Sequence, residues 1–570
     1  MSVRNAIALF VCLGSITFLA ACGSSGNGVT QGQAPPSGQF SDSNLNGTYV
    51  FSVSGLDANG FSYAITGTLN ANSNGGITGG VIDMNDAEFA PNSVSPLIAS
   101  GINSTSSYSV GKDGRGKATL NLSSNPLGSL CGTNNISFDF VLQDSFHGQV
   151  TESDCNATGS GTLDVQTAGV TPAGSYAFSM SGGVSSSSGV VPFATVGNLT
   201  LSGSTITAGL EDFNVNGVPY TNTNSGYAVS GSVVAGGSAS SISSITTGSS
   251  FGNAGTLSID VYPIDSTHLK LIEVDGYGTL SGDAYAETTT FPSGTLVFTL
   301  AGTVSGEPFA AGGIMVTSGG TIGSGSTEDF NELGTTSTIG TPVPFTGSYS
   351  GANGRFPVSL SSFEGGTDYV AYPSSGGTLL METDTSSLNI QVGAAYAQTT
   401  TTSFTSSQGY GLNLTGVNLS ASSQAGAAIE VDDIAEFTAA ASGSSCTASS
   451  GTVSTDTLIG VTDENNQPDQ ATSYGLALCG QYASVDSAGR VEAAYGANTL
   501  NGGIEAISYT VDGTFFPFIE VDGGQVSTGA FILQNPSATS QTLTVRPSSL
   551  FIPRPFISRR AATEKKKLQN

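Results

Sequence analysis

The stretch Gly47–Gly55, GTYVFSVSG, decides the fold. Large apolar side chains stand at every second position, Tyr49, Phe51 and Val53. A period of two is that of a strand with one buried face. Gly55 closes the run and permits a tight turn. The run returns as GSYAFSMSG at Gly174–Gly182, GTLVFTLAG at Gly294–Gly302 and, more weakly, QGYGLNLTG at Gln408–Gly416.

Each copy is followed by the same landmarks in the same order. Asp-x-Asn comes first: Asp83 and Asn85, Asp212 and Asn214, Asp329 and Asn331, Asp463 and Asn465. A tyrosine then opens another strand, at Tyr108, Tyr227, Tyr349 and Tyr482. Turn signals follow, such as DGRG at Asp113–Gly116 and NGR at Asn353–Arg355, since Asp-Gly and Asn-Gly tolerate positive φ. Last stands Glu-x-Asp, then a glycine-led strand such as GAAYAQT at Gly393–Thr399. Corresponding landmarks lie roughly 105 to 140 residues apart, well above a solenoid period of about 20–50. No helical period is visible in the body. About eight short alternating runs in meander order fill each copy, the signature of an antiparallel all-β unit. The fold expected is four tandem β-barrel or β-sandwich repeats of roughly 120 residues, at 45–168, 172–290, 294–402 and 403–535. A barrel fits best, because closure removes strand edges. The units are expected as four beads on a string.

The N-terminus, MSVRNAIALFVCLGSITFLAACGSSG, has a basic residue, Arg4, and an apolar run too short for a comfortable membrane span, the layout of an export signal. Its end, Leu19-Ala20-Ala21-Cys22, resembles the lipobox of bacterial lipoproteins. That resemblance implies a signal at 1–21, a diacylglyceryl group on Cys22 and cleavage before it. Gly23 follows, where an Asp would favour inner-membrane retention, so the outer membrane is expected. Residues 22–44 are poor in apolar side chains and rich in Gly, Ser, Gln and Pro, and read as a flexible tether.

The net charge of −28 is unevenly spread. Seven of the 14 Lys and Arg lie in the last 25 residues: Arg546, Arg554, Arg559, Arg560, Lys565, Lys566 and Lys567. Residues 23–545 hold six basic and 41 acidic side chains, a net charge of −35. Such a body excludes nucleic acid as a partner. Residues 536–570 read as a disordered basic tail, or as one that docks on anionic lipid, lipopolysaccharide or the acidic body. Cys12 lies in the signal. Cys131, Cys155, Cys446 and Cys479 form two pairs close in sequence, which favours the local disulfides Cys131–Cys155 and Cys446–Cys479 in an exported chain. Zinc is the alternative, although there is no CxxC and only two His.

The order GxYxFxxSG, Asp-x-Asn, Gly-Arg turn and Glu-x-Asp resembles that of the repeated β domains of exported lipoproteins abundant in acidobacterial genomes. The likeness spans most of residues 45–535 and departs most near Ser420–Ser454. It implies architecture and location, not a mechanism.

The candidate site residues are the Glu-x-Asp pairs: Glu152 and Asp154, Glu273 and Asp275, Glu382 and Asp384, Glu520 and Asp522. Three readings stand. The carboxylates form the solvated acidic face at the end of each penultimate strand, or they hold calcium, a hard cation that takes several oxygen ligands, with Asp-x-Asn as the further donors, or they bind a sugar or another polar ligand. Asp-x-Asn by itself reads as a turn device. Arg115, Arg355 and Arg490, half of the body's basic residues, stand at equivalent positions, with Thr256 in the second repeat. Pairing with Glu-x-Asp two strands away is one reading, and a solubilising turn residue the other. His147 and His268 sit five residues before the Glu in the first two repeats and read as hairpin-turn residues. No HExxH or P-loop is present. The expectation is a non-enzymatic cell-envelope protein, anchored by lipid, that binds a polysaccharide or protein surface or has an adhesive or structural role. A small-ligand carrier using barrel cavities is the alternative, and an extracellular hydrolase the third.

Overall fold

The computed structural model describes residues 38–538, apart from 58–59, 88–99, 125–133, 155–156, 187–188, 204, 222–226, 230, 233, 236–241, 247–257, 275–277, 333–334, 338–340, 386–388, 420–428, 441–445, 449–450, 454–456, 468–472 and 498–502. Four antiparallel β units follow one another, as the repeats predict. The fourth is a closed eight-stranded meander barrel: Gly409–Asn418, Ile429–Ala440, Thr457–Gln467, Ser473–Tyr482, Arg490–Ala497, Gly503–Tyr509, Phe515–Glu520 and Gln525–Leu533. The first also closes. Its opening strand, Asn46–Asp57, pairs with Ser62–Asn72 on one side and with the last strand, Ala157–Val165, on the other. The third closes in the same way, with its third strand broken into Thr321–Ile322 and Thr327–Glu332. The described strands of the second form an open run from Val218–Tyr220 to Val234–Ala235.

Alternation led to the expectation of one buried face per strand. Both faces are buried. Strand Asn46–Asp57 is buried without interruption from Tyr49 to Gly55. Tyr49, Phe51 and Val53 fill the barrel with Phe138, Phe140 and Leu163. Val50, on the other face, packs with Ala64 against Tyr262, Ile264 and Ile272 of the second unit. The pattern repeats along the chain. Ala177, Ala194 and Val196 of the second unit share a core with Val370, Tyr372 and Met381 of the third, and the third's Val297, Ala310 and Ile314 with Ile507 and Ile519 of the fourth. Small residues on the outer faces let the barrels approach. Each fully buried aliphatic side chain contributes about 1.5–3 kcal/mol, so the seams rank with the barrel cores in stabilising the chain.

The units are therefore not beads on a string, and the first and last also meet. After its final strand each unit lays its exit segment on the next. Gln166 Nε2 donates to the Pro263 carbonyl at 2.7 Å and Thr167 N to Ile264 at 2.8 Å. Thr288 N donates to the Pro373 carbonyl, and Thr399 N to that of Val511. Gln398 Nε2 reaches the carbonyls of Ala488 and Thr510 at 2.9 Å. The fourth unit's exit does this to the first: Gln534 Nε2 donates to the Asp113 and Leu142 carbonyls at 2.9 Å, and Asn535 N to Gln143 at 2.6 Å. Strand Ile429–Ala440 packs on His147–Ser153 and Ala157–Val165. Four units thus form a ring, closed by contact between the first and the fourth.

Candidate functional site

The repeated polar motifs meet at the seams of this ring. Asp-x-Asn is not a turn. It sits in a strand, and its Asp and Asn in the first three units are buried. The Asn crosses into the next unit and binds the backbone around that unit's Glu-x-Asp. Asn85 Nδ2 donates to the carbonyls of Glu273 at 3.1 Å and Gly278 at 2.5 Å. Asn214 Nδ2 reaches Glu382 Oε2 at 3.1 Å and the Asn389 carbonyl at 2.9 Å. Asn331 Nδ2 reaches the carbonyls of Glu520, Asp522 and Gln525 at 2.8–3.1 Å. The two motifs do converge, but between neighbouring units rather than within one.

The Asp of each motif receives the next unit's arginine and tyrosine. Arg355 Nε and Nη2 bind Asp212 at 2.6 and 2.8 Å, and Tyr372 donates its hydroxyl to the same carboxylate at 2.6 Å. Arg490 binds Asp329 in the same two-pronged way at 2.7 and 2.9 Å, with Tyr509 as second donor. Two parallel N–H donors on one carboxylate make the strong form of the ion pair. Arg355 and Arg490 therefore pair with Asp-x-Asn of the preceding unit, not with Glu-x-Asp of their own. Arg115, fully buried, binds Asp113 at 3.0 Å. The side chain of Asp463, the Asp of the fourth unit's motif, lies outside the described residues.

The first-to-second seam departs from this rule. Asp83 receives the Tyr262 hydroxyl and lies beside Asp260, and the residue at the arginine position, Thr256, is outside the described residues. Burial raises the Asp83 carboxyl above its usual range, against the hydrogen bond it accepts from Tyr262 and the one it shares with Asp260. The cation of this seam is Lys270, fully buried, with Nζ at 2.7 Å from Asp283 and 4.0 Å from Asp164 of the first unit. His268 binds Asp283 at 2.7 Å, and His147 binds Asp164 at 3.0 Å. Burial works to raise Asp164, but the His147 hydrogen bond and the Lys270 charge overcome it and hold the carboxyl at about 2. The two histidines open strands after turns, as expected, and both face this cluster.

Glu-x-Asp is not a solvated strand end. Glu152, Glu273, Glu382 and Glu520 are 0–1% exposed. Glu273 accepts the N–H groups of Gly278 and Leu280 at 2.8 and 3.2 Å. Glu382 accepts the Asp384 N–H, and Glu520 the Ser527 hydroxyl. Burial pushes Glu382 up to about 9, which favours its neutral form at pH 7, and drives Glu152 and Glu520 well above the usual range. The Asp staples the neighbouring strand. Asp154 accepts the Ser137 N–H at 2.9 Å, Asp384 the N–H groups of Thr367 and Asp368 at 2.7 and 3.1 Å, and Asp522 that of Glu505 at 3.3 Å. Asp275 lies outside the described residues. Among the described residues no three of His, Cys, Asp and Glu are grouped as a metal site. Glu273, Glu382 and Glu520 direct carboxylate oxygens at protein donors.

Cys22, Cys131 and Cys155 also lie outside the described residues, as do the side chains of Cys446 and Cys479. Strand Cys446–Ala448 packs on Ser473–Tyr482, which carries Cys479. Sequence reasoning missed the exit residues Gln166, Glu287, Gln398 and Gln534, although their spacing matches that of the other landmarks. It also missed Tyr262, Tyr372 and Tyr509, whose counterpart in the first unit is Val141.

Among the described residues each unit's interior holds a packed apolar core. The first holds an apolar cavity of about 20 Å³ among Phe51, Leu69, Tyr108 and Phe138, the scale of one water and far below the roughly 300–1,000 Å³ of a ligand pocket. In the fourth, Phe404 packs at 4.7–5.3 Å centroid distance on Tyr410, Tyr482, Phe516 and Phe531. Among the described residues no helix is long and apolar enough to cross a membrane.

No protein-family model matches the chain, and no curated protein matches it. Among solved structures it is similar to two mutants of the vaccine antigen transferrin-binding protein B from Haemophilus parasuis Hp5, a double and a single mutant. Each is 8% identical, with 68% of this chain and 83% of that chain covered and a TM-score of 0.15. A score that low reflects no shared arrangement, so the likeness bears on neither partner nor activity.

Proposed function

We propose that the chain is a lipid-anchored, exported protein of the cell envelope, held through Cys22 in the outer membrane. Its ring of four β units is a rigid, non-enzymatic platform for binding a protein or polysaccharide surface, for adhesion or for envelope structure. The observation that carries this reading is the use made of the repeated polar motifs. Asp-x-Asn, Glu-x-Asp and the scarce arginines are buried in the seams, where they join units and face no substrate. Filled barrels support a platform over a carrier. The packing of strand Cys446–Ala448 on the strand of Cys479 supports a disulfide between them, with Cys131–Cys155 as its counterpart. Two acyl chains on one cysteine would make the anchor effectively permanent, at about 0.8 kcal/mol per buried CH2.

The test is metabolic labelling with a tagged fatty acid. The wild-type chain should carry the label and lose residues 1–21, whereas Cys22→Ser should carry none and keep them. An unlabelled wild-type chain would remove the anchor. Hydrolysis of chromogenic glycosides by the purified protein, lost on substituting Glu273 or Glu382, would replace the platform with an enzyme.

A further inference from the structure

The seam that closes the ring differs from the other three in what holds it. Those three are crossed by the chain itself, through residues 166–173, 287–293 and 398–408, and by shared apolar cores. Val50 and Ala64 pack with Tyr262 and Ile272 between the first and second units, and one cluster takes in the second, third and fourth. No segment links the fourth unit forward to the first. Among the described residues no apolar cluster combines side chains of those two units.

Polar contact takes its place. Strand Ile429–Ala440 lies on Asn135–Leu142, His147–Ser153 and Ala157–Val165 of the first unit. Its odd positions Val431, Ala435 and Phe437 fill the fourth barrel. Its even positions Glu430, Asp432, Ile434 and Glu436 stand on the opposite face, and all are buried. Asp432 accepts the Thr158 and Ser160 hydroxyls across the seam. Tyr63 and Glu152 of the first unit lie within its electrostatic reach, and Glu152 is in turn beside Asp154 and Asp86. Glu436 accepts the Thr438 hydroxyl at 3.2 Å, and its Oε2 has no hydrogen-bond partner among the described residues. Asp113 and Arg115 act on it from the first unit. Arg115 binds Asp113 of its own unit, whereas Arg355 and Arg490 bind across their seams. Lys117 and Asp139 of the first unit stand opposite one another in register. His147 and Asp164 are engaged with each other and with Lys270 of the second unit. On the adjoining strand of the fourth barrel, Asp463 and Glu464 stand opposite Ile434 and Asp433 in register.

We propose that the seam between the fourth and first units is a pH-operated latch: deprotonation of its buried carboxyls as the medium turns alkaline separates the two faces and opens the ring while all four units stay folded. Burial raises Asp432 to about 7 against its hydroxyl donors. It raises Glu436 to about 8, where Asp113 adds to burial and Arg115 opposes it. A carboxyl in water ionises near about pH 4. One that holds its proton more tightly in the closed seam supports closure fully below that pH, and its support is lost as pH rises through the raised value. Because no chain segment spans this seam, it can part without breaking a barrel. Opening uncovers an acidic face on the fourth unit, Glu430, Asp432 and Glu436, and the Thr158 and Ser160 hydroxyls on the first.

The test follows sedimentation velocity and far-UV circular dichroism of residues 23–570, which include every described residue, from about pH 5 to about pH 9. Between its open and closed values each carboxyl should lower the closing constant about tenfold per pH unit. The sedimentation coefficient should therefore fall in one step while the strand signal stays constant. A Cβ on Gly411 would stand 3.1 Å from Val141 Cγ2, so Val141→Cys with Gly411→Cys can be oxidised to a disulfide across the seam. The cross-linked chain should keep its coefficient throughout, as should Asp432→Asn combined with Glu436→Gln. Glu328 and Glu382 of the third unit, raised to about 8 and about 9, titrate in the same range, and the cross-link separates their effect from that of the latch. A constant coefficient in the unmodified chain would overturn the proposal. So would an equal fall in the cross-linked chain, or a fall with loss of strand signal, since either marks the unfolding of a unit. Opening of the Asp432 and Glu436 double variant at the same pH as the unmodified chain would overturn it too, by removing the carboxyls from the latch.

Discussion

At the scale of the residue, the scarcity of cations is what makes each one informative. Arg490 is nearly buried against a fully buried Asp329. Removing one partner of such a pair leaves an uncompensated charge and costs about 3–5 kcal/mol. Arg490→Met should therefore lower stability by that amount in denaturant titration, and adding Asp329→Asn should recover most of it. A single-variant loss below about 1 kcal/mol would reduce the pair to a surface contact. Asp432 gives a pH-dependent counterpart. It sits where the fourth unit meets the first, accepts hydroxyls from Thr158 at 3.0 Å and Ser160 at 2.6 Å, and is raised by burial to about 7. A carboxyl whose folded pKa is raised binds its proton more tightly when folded. Its stabilising contribution is complete below the unfolded value and is lost as pH rises toward 7. Asp432→Asn keeps partners, since hydroxyls can reverse their roles. Between pH 4 and pH 8 the stability difference should move toward the Asn variant by on the order of 3 kcal/mol. A difference that stays flat with pH would mean that Asp432 is ionised throughout.

At the scale of the element, a strand here serves two cores. The inward positions of Asn46–Asp57 could be read directly from alternation. The outward positions, Val50 and the Ser and Gly residues beside it, read as solvent-facing because small side chains can serve either purpose. Only the neighbouring barrel decides between them. Glu-x-Asp shows the same limit. Its place at the end of the penultimate strand was legible, but its burial was not, because a carboxylate in a sequence is presumed to meet water. In the seam Glu273 and Glu382 are bound by backbone N–H groups and Glu520 by the Ser527 hydroxyl, and each described Asp fastens a neighbouring strand. Calcium and EDTA should therefore give the same unfolding midpoint, within about one degree, since a ligand stabilises only through preferential binding to the folded state. A calcium-dependent rise of several degrees, lost in Glu382→Gln with Asp384→Asn, would return the pairs to the role of cation ligands.

At the scale of the whole molecule, ring closure makes the first unit depend on the fourth. Independent beads would unfold separately and tolerate truncation. In the ring, removing residues 403–570 uncovers the outer face of the first barrel and removes the Gln534 and Asp432 contacts. The first unit should then melt at a lower temperature than in the intact chain, although its own sequence is unchanged. An unaltered first-unit transition in calorimetry would show that the closing seam adds nothing. Closure also brings Asn44 beside Pro536, residues 492 positions apart in sequence.

The sequence by itself determined the all-β class, the four copies, the order of strands and the place of every landmark. These depend on local alternation and turn chemistry, which repeat with the domain. Tertiary structure alone decided what the landmarks touch. Asp212 meets Arg355, and Asn331 meets the backbone of Glu520, because each barrel docks on the next through its outer face. A linear pattern contains the period of a face but not the identity of the surface that covers it.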